Sequence, residues 1–163
     1  MNLPGRQRGA SAGVKPRPAA VLLASPGLAF SDEAVQAAVA AAGGRPIRVL
    51  SVAKIYGTAL GMQHPGLLPS KREVEAQEEI VADAIGRIES SGGKARGEIV
   101  ATRDTGKTFL RAAVRYSVRH VVLVPAGGNR LRRLVEGDPA AALQRRLGDA
   151  IRVQVVERTC SGA

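Results

Sequence analysis

The stretch His120-Val-Val-Leu-Val-Pro125, Ala126-Gly127-Gly128-Asn129-Arg130, Leu131-Arg-Arg-Leu-Val-Glu136, Gly137-Asp138-Pro139-Ala-Ala-Ala-Leu143 decides how this chain is read. A β-branched apolar run ends in a glycine loop. A second glycine then opens a helix whose first turn is Asp-Pro. A buried strand that feeds a glycine loop and a helix start is how an α/β sheet builds an anion site. The loop amides turn inward, and the helix N-terminus adds unpaired N–H groups and partial positive charge. Asp138 works against such a site. It is a strong N-cap, and its carboxylate can take the amides a phosphate would need.

The same alternation runs through the rest of the chain. Ala19–Ala24 is an apolar run and reads as the first strand. Ser31 is a candidate N-cap, with Asp32 and Glu33 in the first turn, where the helix dipole favours negative charge. Val35, Ala38, Val39 and Ala42 share one helical face, and Gly43-Gly44 stops the helix. Ile47–Ala53 is the second strand. Ser70 and Glu73 form a capping box for a second helix, with Val74, Val81, Ala84, Ile85 and Ile88 inward and Gly92-Gly93 at its end. Glu98–Ala101 is the third strand. Thr105 to about Val118 is the third helix, with Leu110, Ala113 and Val114 inward. His120–Pro125 is the fourth strand, Pro139–Leu147 the last helix and Ile151–Glu157 the fifth strand.

Strands that alternate with long helices imply parallel strands joined by crossovers. The expected fold is a single doubly wound α/β layer, with a five-stranded, mainly parallel sheet and helices on both faces. The first four strands read as covered on both faces. The alternating fifth reads as an edge.

Composition bounds the rest. At 163 residues the chain is about one domain, 45% hydrophobic but only 2% aromatic, so its core is built from Ala, Val, Leu and Ile. No run of about 18 apolar residues is present, so no membrane span is expected. Cys160 is the single cysteine, which excludes an intrachain disulfide and fits a cytoplasmic protein. Of the net charge of +10, four charges belong to Arg6, Arg8, Lys15 and Arg17. Residues 1–18 are rich in Gly and Pro and read as a disordered basic tail, 19–158 as the domain, and 159–163 as a flexible C-terminal tail. The scarcity of aromatics argues against a nucleic-acid partner that stacks bases.

Strand order together with the glycine loop resembles the universal stress protein family over roughly residues 19–157. In its nucleotide-binding members the fourth strand runs into Gly, two residues, Gly, nine residues, then Gly-Ser or Gly-Thr. Gly127 and Gly137 have nine residues between them and match the second and third glycines, and Leu131-Arg-Arg-Leu is also like the family's. The resemblance implies a nucleotide site at Val52, Gly127, Gly128, Asn129, Arg130, Gly137 and Asp138. Three positions depart from the pattern. Val124 stands at the first glycine, Asp138 at the hydroxyl residue, and Ser25-Pro26 where the first strand commonly ends in aspartate. Asp138 at ~4 Å from a phosphate charge costs on the order of 4 kcal/mol at an effective dielectric near 20.

The leading reading is therefore a cytoplasmic, non-enzymatic stress-response or regulatory domain with a degenerate nucleotide site and no cofactor. The alternative is a nucleotide-dependent switch that binds ATP with Mg²⁺. The resemblance further implies a homodimer through Ile151–Glu157. A lower-ranked reading is a basic interaction module for acidic partners, and the lowest a P-loop phosphotransferase.

That last reading comes from Ala101-Thr-Arg-Asp-Thr-Gly106-Lys107-Thr108, a P-loop-like run between a strand and a helix. It begins with Ala, and the next strand carries no acid. The plainer expectation is a helix start capped by Asp104 or Thr105. Arg103 and Lys107 remain as accessory anion-binding candidates, on the expectation that strands one, three and four end near one another. His64 and His120 are too isolated to suggest a metal site. Arg111, Arg115 and Arg119 form one basic stripe at helical spacing.

Overall fold

The computed structural model describes residues 19–54, 69–125 and 139–156. Nine elements alternate: β1 (Val21–Ser25), α1 (Asp32–Ala42), β2 (Ile47–Lys54), α2 (Lys71–Ser90), β3 (Ala95–Thr102), α3 (Thr105–Arg115), β4 (His120–Leu123), α4 (Pro139–Leu147) and β5 (Arg152–Val155). The strands form one sheet in the order β3-β2-β1-β4-β5. Every neighbouring pair is parallel, as expected for strands joined by helical crossovers.

Side-chain alternation splits the core into two layers. Val21 and Leu23 of β1, Ile47 and Val49 of β2 and Val122 of β4 pack against Ala34, Val35 and Ala38 of α1 and Val81, Ala84 and Ile88 of α2. Leu22 and Ala24, Leu50 and Val52, and Val121 and Leu123 pack on the other face against Phe109, Ala112 and Ala113 of α3 and Ala140 and Leu143 of α4. β1 is buried along its whole length because it lies in the middle of the sheet with helices on both sides.

The helix ends follow their residues. Ser31 Oγ accepts from the Ala34 amide, and the chain turns left-handed at Gly43, φ +54°. Ser70 and Glu73 complete the capping box reciprocally. The C-terminus of α3 closes without glycine. Val118 N donates to Ala113 O and Ser117 N to Val114 O, a Schellman pair. Ser117 holds the left-handed position, at φ +51°.

Several expectations are corrected. β3 begins three residues earlier than its apolar run and is an edge strand with intermediate and exposed residues, not a strand covered on both faces. Its early residues, Ala95-Arg96-Gly97, carry no β signal of their own. They extend because each pairs with β2, Ala95 with Ile47 and Gly97 with Val49. α3 ends at Arg115, so Arg119 is off the helix. Val114 faces solvent at 63% exposure, and Phe109 and Ala112 fill the inward face. No described helix is long and apolar enough to cross a membrane.

Candidate functional site

In a doubly wound sheet the ligand crevice lies beyond the C-terminal ends of the strands, where the crossovers diverge. Here the divergence falls between β1 and β4, the two central neighbours. Gly127, Gly128, Asn129, Arg130, Gly137 and Asp138 lie outside the described residues, as does His64. On the opposite wall, where β1 and β2 end, the described residues are those up to 54 and from 69 onward.

That wall is an open cleft of about 430 Å³ lined by Pro26, Gly27, Val52, Ala53, Pro69, Glu73 and Gln77. β1 ends in Ser25, which is fully buried and pairs in register with the equally buried Ser51 of β2. Ser25 Oγ accepts from the Leu28 amide at 2.8 Å and donates to the Leu28 carbonyl, so the serine ties off the Pro26-Gly27 turn. Gly27 sits at φ +96°, and a Cβ there would meet the Val52 carbonyl oxygen at 2.8 Å. Only glycine satisfies both demands.

Gln77 enters this wall from α2. Its Nε2 donates to the Gly27 carbonyl at 3.1 Å, and its Oε1 accepts from Ser51 Oγ at 2.5 Å. The turn after β1 is thereby bound to β2 through α2. Val52 is present with its backbone, while its side chain, 1% exposed, belongs to the α3-side core. Glu73 lines the same mouth. Hydrogen bonds from the Ser70 amide and hydroxyl hold its carboxyl below the usual range, so it is anionic at neutral pH.

The P-loop-like run is a helix start. Asp104 Oδ1 accepts from the Lys107 amide at 2.9 Å, and Asp104 Oδ2 lies 3.2 Å from Lys107 Nζ. The amide and the ammonium that an anion would use both face this carboxylate, whose pKa the Lys107 amide lowers first and the Lys107 charge lowers further. Arg103 is exposed on the same loop. Both cations stand where β3 ends, at the sheet edge. β2 separates β3 from β1, and two strands separate it from β4. At ~4.8 Å per strand that places the loop roughly 10 Å or more from the central crevice, not beside it.

A second polar group sits midway along the α3 side. The Tyr116 hydroxyl donates to Glu98 Oε2, Arg48 Cζ lies 4.1 Å over the Tyr116 ring, and Arg115 NH1 is 3.6 Å from Glu98 Oε1. Burial, and then the bond to Glu98, raise the Tyr116 pKa above its ordinary 10.0. His120 Nε2 meets Gln154 Oε1 at 3.3 Å, linking β4 to β5. Among the described residues no three metal-ligating side chains come together.

Sequence reasoning missed Gln77. The signal was present: Val74, Gln77, Val81, Ala84 and Ile88 follow alternating spacings of three and four, so one amide occupies the inward stripe. Such a polar intrusion implies a buried partner, here Ser51.

No family model matches the chain, and no curated protein matches its sequence. Solved structures do. A universal stress protein family member from Burkholderia pseudomallei superposes with a TM-score of 0.58 at 19% identity, over 85% of this chain and 95% of that one. The universal stress protein of Archaeoglobus fulgidus in complex with dAMP gives 0.53 at 13% identity, over 87% and 98%. A universal stress protein in complex with cAMP gives 0.56 at 15% identity, over 88% and 98%. The chain therefore has the universal stress protein fold.

Proposed function

We propose that this chain is a cytoplasmic, non-enzymatic universal stress protein whose nucleotide site is degenerate, acting as a regulatory or stress-response protein through its contacts with other molecules. The observation that carries the reading is the Gln77 bridge. Gln77 bonds both Ser51 and the Gly27 carbonyl, and Ser25 bonds the Leu28 backbone, so these polar groups at the mouth of β1 and β2 are already satisfied. A nucleoside would have to displace internal bonds whose loss leaves buried groups unpaired, at about 1–3 kcal/mol each. The anionic Glu73 at the same mouth opposes phosphate, and Asp138 adds a second carboxylate to the proposed site.

Titration calorimetry of the whole chain with Mg-ATP and with AMP tests this. No heat of binding at micromolar ligand is expected, and the supernatant of denatured protein should lack nucleotide absorbance. A dissociation constant of roughly 10 μM or tighter would overturn the reading in favour of a nucleotide-dependent switch. One observation favours that second reading: the cleft beside Gly27 and Val52 is open, and two structures with this fold are complexes with dAMP and cAMP. In that case Val52, Gly127, Gly128, Asn129, Arg130 and Gly137 would hold the ligand, with Asp138 turned to a metal ion. A homodimer through β5 belongs to the same proposal.

A further inference from the structure

β3 is eight residues long and forms one border of the sheet. Its backbone pairs with β2, and no other described strand partners its outer row of N–H and C=O groups. Natural edges are commonly blunted by proline, lysine or a bulge. Ala95-Arg-Gly-Glu-Ile-Val-Ala-Thr102 contains no proline or lysine, and it is paired in continuous register along its full length.

The flank of this edge is chemically one-sided. On the α3 side runs a groove of about 470 Å³ whose floor is Leu50 and Val100 and whose wall is Arg111 and Arg115. Arg48 and Lys94 border a second hollow at the start of the same strand, together with Arg96. Glu98 is the single acid lining either hollow, and it is already engaged by Tyr116 and Arg115. Among the described residues Lys94, Arg96 and Arg111 have no ion-pair partner. On the other face α2 covers β3, leaving partly buried Ile85 and Ile99 toward the border.

From this juxtaposition we propose that the β3 edge is a docking slot for an extended acidic peptide. The peptide adds as a sixth strand, pairing its main chain with β3. Its carboxylates, at alternate positions, face Arg96 and Arg111, and its intervening apolar side chains lie toward Ile85 and Ile99. Main-chain pairing supplies affinity and the alternate side chains supply selection. A second copy of this chain fits poorly, because pairing β3 with β3 brings two identical cationic flanks together. Nucleic acid fits the charge but has no amides to complete the strand, and the one aromatic ring at the groove, Tyr116, is 4% exposed. The slot is independent of whether the central cleft binds nucleotide.

The probe is a fluorescein-labelled peptide of four Glu-Val repeats, titrated by anisotropy against the full chain, with hydrogen exchange read over residues 95–102. Binding is expected together with new protection of those amides. It should weaken at least tenfold in the folded Arg96→Glu/Arg111→Glu chain, and should weaken as salt rises. The glutamine pair, Arg96→Gln/Arg111→Gln, should fall between. Equal binding of a Lys-Val peptide or of a single-stranded oligonucleotide overturns the proposal. So does binding without protection of 95–102, undiminished binding by the charge-reversed chain, or no binding at millimolar peptide. Protection of the free chain that grows with its own concentration would assign the edge to a second copy and also refute it.

Discussion

Gly97 of β3 lies directly beneath Val81 of α2. A Cβ built on the glycine would stand 2.2 Å from Val81 Cγ1 and 3.0 Å from Ile85 Cδ1. The contact explains how a long helix settles on an edge strand. The missing side chain lets α2 approach, and α2 in turn buries one face of a strand with little apolar content of its own. Gly97→Ala should lose about 1–3 kcal/mol by overpacking, since valine on a helix has almost no rotamer freedom with which to yield. Combining it with Val81→Ala should recover part of that loss, because the two sites are in contact. Urea denaturation of both single variants and the pair measures the coupling. Strict additivity would mean that α2 does not rest on Gly97.

The Gln77 bridge makes a separate prediction. Ser51 is fully buried, and Gln77→Leu removes the acceptor of its hydroxyl and the donor to the Gly27 carbonyl. The cost should be about 1–3 kcal/mol for stranding buried polar groups. Adding Ser51→Ala should return some of it, since the stranded hydroxyl is then gone. A Gln77→Leu chain with parental stability would show that water replaces the amide at the mouth and that the cleft is wetter than its bonds imply.

Tyr116 gives a pH dependence whose sign is fixed. Its folded pKa is raised above 10.0 by burial first and by the bond to Glu98 second. A raised pKa contributes stability that is complete below the unfolded value and disappears as pH climbs through the folded value. Denaturation midpoints should thus hold up to about pH 10 and fall above it. Tyr116→Phe should flatten that alkaline fall. Absorbance titration at alkaline pH should show one tyrosine ionising late, and Glu98→Gln should bring it earlier, because the bonded carboxylate then loses its charge. A Tyr116 that titrates normally would mean that its ring is not buried and its hydroxyl is not bonded to Glu98.

At the end of α3, serine occupies a position that favours glycine. Ser117 at φ +51° completes the Schellman pair, and a left-handed conformation costs a residue with a Cβ about 1 kcal/mol. Ser117→Gly relieves that strain at some expense in unfolded-state entropy, so a net gain of up to about 1 kcal/mol is expected. A stability loss on thermal melting would show that the serine hydroxyl has a role beyond the turn.

These elements also mark what the sequence made readable. Ser31, Ser70 with Glu73, and Asp104 or Thr105 announced three helix starts, because caps are local chemistry, and the third cap is Asp104. The central strands announced themselves through burial. β3 was only half legible: Ala95, Arg96 and Gly97 are extended by pairing with β2 and by the fit to Val81, both of which are tertiary. Val114 was read inward from spacing alone, yet the buried stripe of α3 runs through Phe109, Ala112 and Ala113 to Tyr116, and Val114 lies outside it. Alternation of strands and helices suggested that the ends of β1, β3 and β4 would cluster. Strand order is decided by crossover geometry instead, and it moved Arg103 and Lys107 to the border. At the site, the open cleft beside Gly27 could be anticipated as the end of a strand. The amide that fills its polar groups was visible only as one glutamine out of place on an apolar stripe.

The opposite border carries the last prediction. β5 pairs with β4 on one side only, and its four residues, Arg152-Val-Gln-Val155, include no proline or lysine that would block a partner. Val155 is 37% exposed, one of two large apolar side chains left open among the described residues. The outward Val153 N–H and Ile151 carbonyl are already bonded to Gln144, so a two-fold axis beside the Val155 end of this strand would set two copies antiparallel, each covering the other's Val155. Each border strand carries one cation of its own, Arg152 here and Arg96 in β3, but β3 is also bordered by Arg48, Lys94 and Arg111. The full chain should therefore sediment as a dimer at tens of micromolar. Val155→Pro should weaken the dimer by introducing proline where the ladder would form, while the same change at the far border of the sheet should not. A clean monomer at that concentration would sink this interface, and so would a dimer that survives proline at Val155.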